Sequence, residues 1–286
     1  MVGNRSIPSG IIFCVTTGQL QPTGHRATAA HTRHALSKVP EVTLYFWITK
    51  VLTTGMGEAA SDFLSHALGP VVAVGLSGLV LAGVLWLQFR APHYRASIYW
   101  TAVAMVSVFG TMAADVLHVG LGIPYGVSTA FYFVVLMAVF ALWNASEKTL
   151  SIHSIYTPRR EAFYWLTVMA TFALGTAAGD LTATTLGLGY FSSGVMFAVI
   201  IAVPAILHRS RTLGAVSAFW FAYIVTRPLG ASFADWMAVS KARGGLNMGL
   251  GPVTVAWTIA ILGFVAYLAI SHRDVQTAES VESVEA

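Results

Sequence analysis

The stretch WITKVLTTGMGEAASDFLSHALG, residues 47–69, decides how the chain folds. It is apolar enough to span a bilayer, yet it carries Lys50, Glu58 and Asp62. It also sets out a pattern, W-x9-G-x4-D-x6-G, in Trp47, Gly57, Asp62 and Gly69. The same marks return as Trp100, Gly110, Asp115 and Gly122, and again as Trp165, Gly175, Asp180 and Gly187. A fourth copy keeps Trp220, Gly230 and Asp235, then carries the insertion SKARGGLNMGLG, which ends on Gly251. Concordant copies of this kind mark an internally repeated protein whose units bury their apolar faces against one another.

Beyond the motif, the whole chain is apolar. Of 286 residues, 56% are hydrophobic and 10% charged, and the mean hydropathy is +0.70. A soluble domain carries roughly 25% charge, so a soluble enzyme or a nucleic-acid binder does not fit. The formal charge of +4 is no footprint for nucleic acid, because the basic residues sit in short segments between apolar runs. That is the pattern membrane insertion leaves. The single cysteine, Cys14, excludes an internal disulfide framework and a cysteine-based metal site.

A bilayer core of about 30 Å needs about 20 apolar residues per helix. Eight runs fit: 42–64, 70–89, 97–119, 127–143, 162–183, 191–207, 216–237 and 252–270. Each repeat is then a helix pair, at about 42–89, 97–143, 162–207 and 216–270, within a membrane domain of residues 39–272. Residues 1–38 contain no apolar run long enough for a signal-peptide core. They and residues 273–286 read as disordered cytosolic tails. Twelve of the sixteen Lys and Arg lie on the side of the termini, while the opposite loops carry only Lys241 and Arg243. Positive charge stays inside, so both termini are expected in the cytosol. The expected fold class is an all-α polytopic membrane protein. Its eight transmembrane helices form four parallel two-helix repeats around a pseudo-fourfold axis, since an even number of spans per repeat makes every copy cross in the same direction.

The second helix of each pair has no ionisable residue, whereas the first helices hold Lys50, Glu58, Asp62, Asp115, Asp180, Arg227 and Asp235. Charge at membrane depth costs about 2.5–3.5 kcal/mol per residue even on the lenient insertion scale. The first helices therefore belong inside and the second helices outside. The four motif Asp fall at one depth near helix C-termini, where the dipole disfavours them. They require a cation, a basic partner or protonation. Polar residues continue the face one turn apart: Lys50, Thr54, Glu58, Asp62 and His66; Ser107, Thr111 and Asp115, with His118 three beyond; Thr176, Asp180 and Thr184; Arg227 and Asp235. Carboxylate with imidazole suits a divalent metal such as Mn²⁺ or Zn²⁺. The candidate metal set is Asp62, Asp115, Glu58, His66 and His118. Asp180, Asp235, Lys50 and Arg227 complete the substrate or ion path, and Asp180 and Asp235 are expected to act more on assembly. Simpler roles stand beside these. The Trp suit interfacial anchors, the Gly suit close helix packing, and the Asp ring suits hydrogen bonding between hairpins. Arg227 suits neutralisation of an Asp, and Lys50 suits pairing with Glu58 or reaching the interface.

The stretch VPEVTLYFWITKVLTTGMGEAASDFL, the tandem two-span repeats and the repeated Trp resemble a bacterial membrane-protein family defined by the DUF347 repeat. The resemblance covers residues 38–272. It implies eight spans and a prokaryotic cytoplasmic (inner) membrane, and it implies no activity.

The residues themselves therefore carry the functional expectation. It is a transporter or exporter of a metal cation, with the lipid bilayer and a small cation or solute as its partners. Five acids and two bases within the spans favour a cation. No tightly bound cofactor is expected; a divalent metal ion would be substrate. The alternatives are a proton-coupled carrier of a small organic solute, or a non-transporting structural or sensor protein. No nucleophile elbow, HExxH or phosphate loop occurs, so an enzyme is not expected.

Overall fold

The computed structural model describes residues 37–275, and these are all-helical. Eight helices follow one another: α1 Leu44–Leu68, α2 Pro70–Arg90, α3 Ala96–Asp115, α4 Tyr125–Glu147, α5 Pro158–Asp180, α6 Gly189–Arg209, α7 Ala215–Ala238 and α8 Leu250–Ser271. Six are long and apolar enough to cross a membrane. The other two, α1 and α7, carry the buried charges Lys50, Glu58, Arg227 and Asp235.

Local chemistry sets the helix ends. The Thr43 hydroxyl accepts from the Phe46 N–H at 3.3 Å to cap α1, and Thr157 does the same for Arg160 at the start of α5. Gly69, at φ 81°, stops α1 and hands the chain to Pro70 at the first turn of α2. Pro204 lacks an N–H for the Ile200 carbonyl, and α6 breaks at Ile201. Two inner helices run on past their motif Asp as single π turns, Val116–Gly120 after α3 and Leu181–Thr185 after α5.

The motif helices α1, α3, α5 and α7 pack in a ring, each touching the next and α7 closing on α1. More than half of α3 and nearly three quarters of α5 are buried, against about a fifth of α2, α4, α6 and α8. The outer helices turn large apolar side chains outward, among them Val71, Leu79, Phe133, Val199 and Ile259. They do not pack as simple hairpins. Helix α2 lies chiefly on α3, α4 on α5, α6 on α7 and α8 on α1, so each outer helix covers the inner helix of the following repeat.

The motif glycines show the same cyclic offset. A Cβ at Gly57 would strike Ser107, one at Gly110 would meet the Phe172 Cβ at 2.9 Å, one at Gly175 would strike Arg227, and one at Gly230 would strike Thr54. Each partner stands seven residues after its own repeat's Trp. One register is thus used four times, including the contact from the last repeat back to the first.

Three of the four motif Trp are not interfacial anchors. Trp100, Trp165 and Trp220 are buried with Phe46, Tyr99, Tyr164 and Tyr223 in one aromatic cluster, and only Trp47 is half-exposed. Connecting segments close over the cluster. Lys38 pairs with Glu161 at 2.7 Å and donates to the Phe89 carbonyl at 2.9 Å. The Tyr94 hydroxyl donates to Asp274, whose carboxyl is pushed above its ordinary range by burial. Ser37, Lys38, Arg273, Asp274 and Val275 therefore belong to the described fold, while the rest of the two expected tails lies outside the described residues.

Candidate functional site

The equal Trp-to-Asp spacing places Asp62, Asp115, Asp180 and Asp235 at matching positions on the ring helices, and the glycine register turns these positions inward. All four line one cavity of about 830 Å³ at the end opposite the aromatic cluster, together with Glu58. Glu58 and Asp235 are buried, while Asp62, Asp115 and Asp180 are half-buried.

The donors fall into two groups. In one, ligand atoms of Asp115, His118 and Asp180 lie within 4.8 Å of one another; in the other, those of Glu58, Asp62 and Asp235 do. His118 Nε2 is 2.9 Å from an Asp115 oxygen and 3.5 Å from an Asp180 oxygen, so the imidazole bridges α3 and α5. Its Nδ1 lies 3.5 Å from the Ser128 hydroxyl, and its ring packs on Tyr125 with centroids 4.6 Å apart.

Arg227 lies behind the cavity wall, paired with the lining residue Glu58. Wholly buried, it donates to Glu58 at 2.5 Å, to the Thr176 hydroxyl at 2.7 Å, to the Thr111 hydroxyl, and to the Thr54 carbonyl at 3.3 Å. One guanidinium from α7 thus ties together α1, α3 and α5. Its ionic partner is Glu58, not one of the motif Asp. Lys50 lies about 12 Å further along α1 from Glu58, being eight residues earlier. It neither pairs with Glu58 nor reaches an interface. Its ammonium sits over the Phe172 and Tyr223 rings, 4.1 and 4.2 Å from their centroids. The aromatic cluster follows, so the axis is closed beyond Arg227 and open at the Asp end.

The candidate metal set is therefore divided. Glu58 and Asp62 stand in one group, and Asp115 and His118 in the other. His66 stands in neither: it is exposed at the cavity rim, with Nδ1 2.7 Å from the carbonyl oxygen of Asp62. Asp180 and Asp235, expected to serve assembly, each complete a group. Spacing along one helix shows only neighbours on that helix, and the decisive neighbours come from the next one.

The cavity also has lining residues that the motif did not mark: Tyr125, Tyr190 and Arg243. Each Tyr stands ten residues after its repeat's Asp, a recurrence that self-alignment can find. Arg243 belongs to the insertion of repeat four. That segment folds back on α7, with the Leu246 N–H donating to the Trp236 carbonyl at 2.8 Å, and this sets Arg243 at the rim.

Electrostatics give the cavity its chemistry. Two carboxylates 4.8 Å apart repel by about 3–4 kcal/mol at an effective dielectric of 20. Arg227 compensates one of the five. The Asp115–Asp180 pair has no Lys or Arg in ion-pair contact among the described residues, only His118. Carboxyl groups so close together need a cation, a basic partner or protonation to share the cavity.

A repeat of unknown function, DUF347, matches four times, at residues 45–94, 98–149, 163–213 and 218–274. No curated protein and no solved structure matches the chain.

Proposed function

The chain belongs to the family built on the DUF347 repeat, and from that premise we propose that it is a membrane carrier of a divalent metal cation. The observation that carries this reading is the convergence of the four repeat-equivalent Asp on one cavity, in two groups of donors that each lie within 4.8 Å. The cargo enters the open Asp end and exchanges water for carboxylate oxygens and the His118 imidazole. Arg227 and the aromatic cluster keep the opposite end shut.

On this reading all eight helices span a prokaryotic cytoplasmic membrane. The charged α1 and α7 are sheltered from lipid by their neighbours, which meets the demand that intramembrane charge face protein or water. The four pairs stand around a pseudo-fourfold axis along the membrane normal, supported by the repeated glycine contact. Both termini lie in the cytosol by their basic flanks, so the cup opens outward. Labelling of Ser192→Cys and Ser210→Cys tests this topology: the first is expected to react only from outside and the second only from inside. Reaction of both from one side contradicts it.

Thermal unfolding of the purified chain in detergent, with and without Mn²⁺ or Zn²⁺, tests the cation reading. A ligand at a hundredfold its Kd stabilises the native state by about 2.7 kcal/mol. For a chain of this size that is a rise in Tm of about 4–5 °C. No rise with any divalent metal would sink the cation reading. A rise with an organic solute instead would favour a proton-coupled solute carrier.

A further inference from the structure

The two donor groups are chemically unequal, and the inequality assigns them different tasks. The Glu58, Asp62 and Asp235 group offers only oxygen, and one of its acids is already engaged by a fixed cation, Arg227, at 2.5 Å. The Asp115, His118 and Asp180 group offers one nitrogen and two carboxylates. Its only ionic partner among the described residues is the imidazole itself. The His118 side chain is 1% exposed, with Nε2 directed at both acids and Nδ1 toward Ser128. An outer partner on the second ring nitrogen is how metal-ligating histidines are oriented. Two carboxylates and a neutral imidazole match the charge of one divalent ion. Imidazole nitrogen suits Zn²⁺ best and Mn²⁺ more weakly, whereas Mg²⁺ and Ca²⁺ prefer oxygen donors.

We propose that the cup is divided, and that Asp115, His118 and Asp180 form its transition-metal site while the Glu58 group remains occupied by Arg227. The proposal rests on the cation-carrier reading and narrows it to one half of the cavity and one class of ion. The metal bridges α3 and α5, the two helices that run on into π turns after their motif Asp. The hydroxyl of Ser128, on α4, steadies the imidazole from behind.

Binding of Mn²⁺ and Zn²⁺ to the purified chain in detergent, by equilibrium dialysis, is the test, with pulsed EPR of the bound Mn²⁺ reporting nitrogen coordination. His118→Gln and Asp180→Asn are expected to weaken binding at least about tenfold, the scale on which metal sites respond to loss of a supporting group. Asp62→Asn, in the other donor group, is expected to weaken binding several-fold less than either of these. The ¹⁴N modulation of the bound Mn²⁺ is expected to vanish in His118→Gln and to persist in His66→Gln. Elution profile and thermal unfolding establish that each variant is folded. Should His118→Gln fail to fold, Asp180→Asn carries the affinity test and the ¹⁴N signal of the parent chain carries the coordination test. Binding that survives in His118→Gln and Asp180→Asn but is lost in Asp62→Asn overturns the subsite while leaving the cation reading intact. A parent chain that binds neither metal overturns both.

Discussion

Among the described residues, Arg227 is the one guanidinium at the centre of the ring, and its contacts allow a prediction about charge rather than shape. It is wholly buried and paired with Glu58, so removing it leaves a buried carboxylate without its cation. Breaking a buried pair from one side costs about 3–5 kcal/mol, whereas replacing both partners with apolar groups is often neutral. Arg227→Met is therefore expected to lower thermal stability sharply, and Arg227→Met combined with Glu58→Met to recover most of the loss. A double variant as unstable as the single one would show that Arg227 acts through its threonine contacts instead. At this scale the sequence was only half legible. The motif Asp can be read because they recur, and Arg227 can be seen to need an acidic partner. Which helix supplies it is hidden, because Glu58 is 169 residues away in the chain. Lys50 hides its partners for a related reason: the Phe172 and Tyr223 rings that receive its ammonium come from α5 and α7.

Among the elements, the motif glycines set how closely the ring helices approach. At Gly230 an added methyl would meet backbone of α1, the Val51 carbonyl oxygen at 2.8 Å and the Gly55 nitrogen at 2.9 Å, which cannot step aside as a side chain can. At Gly83, on the outer face of α2, it would meet nothing within 4 Å. Overpacking costs about 1–3 kcal/mol, while Gly→Ala in an open helix gains up to about 1 kcal/mol in propensity. Thermal unfolding is thus expected to fall for Gly230→Ala and Gly110→Ala and to hold or rise for Gly83→Ala. Equal effects at the three sites would contradict the packing account. The helices themselves were legible, since their apolar lengths and Gly or Pro boundaries are local properties. The partner of each outer helix was not. A short glycine-containing loop forces the next helix to run antiparallel, but it leaves open to which side that helix leans.

For the whole molecule, the repeat decides both closure and charge. A contact that always points to the next copy either runs on or closes, and here the fourth copy meets the first through Gly230 and Thr54. Closure brings the Asp of all four repeats to one mouth. The sequence already showed that they share a depth. It could not show that they pair off across helices, with Asp180 joining His118 and Asp235 joining Glu58. The cation account stands on that pairing. Its most direct test is Mn²⁺ flux into proteoliposomes that enclose a metal-quenched dye, comparing the parent chain with Asp115→Asn/Asp235→Asn, which removes one acid from each group. The account predicts uptake well above that of empty vesicles for the parent chain and for Gly83→Ala, and none for the double variant when it is folded and reconstituted equally. A double variant that carries Mn²⁺ at the parent rate, or a parent chain no faster than empty vesicles, would contradict it.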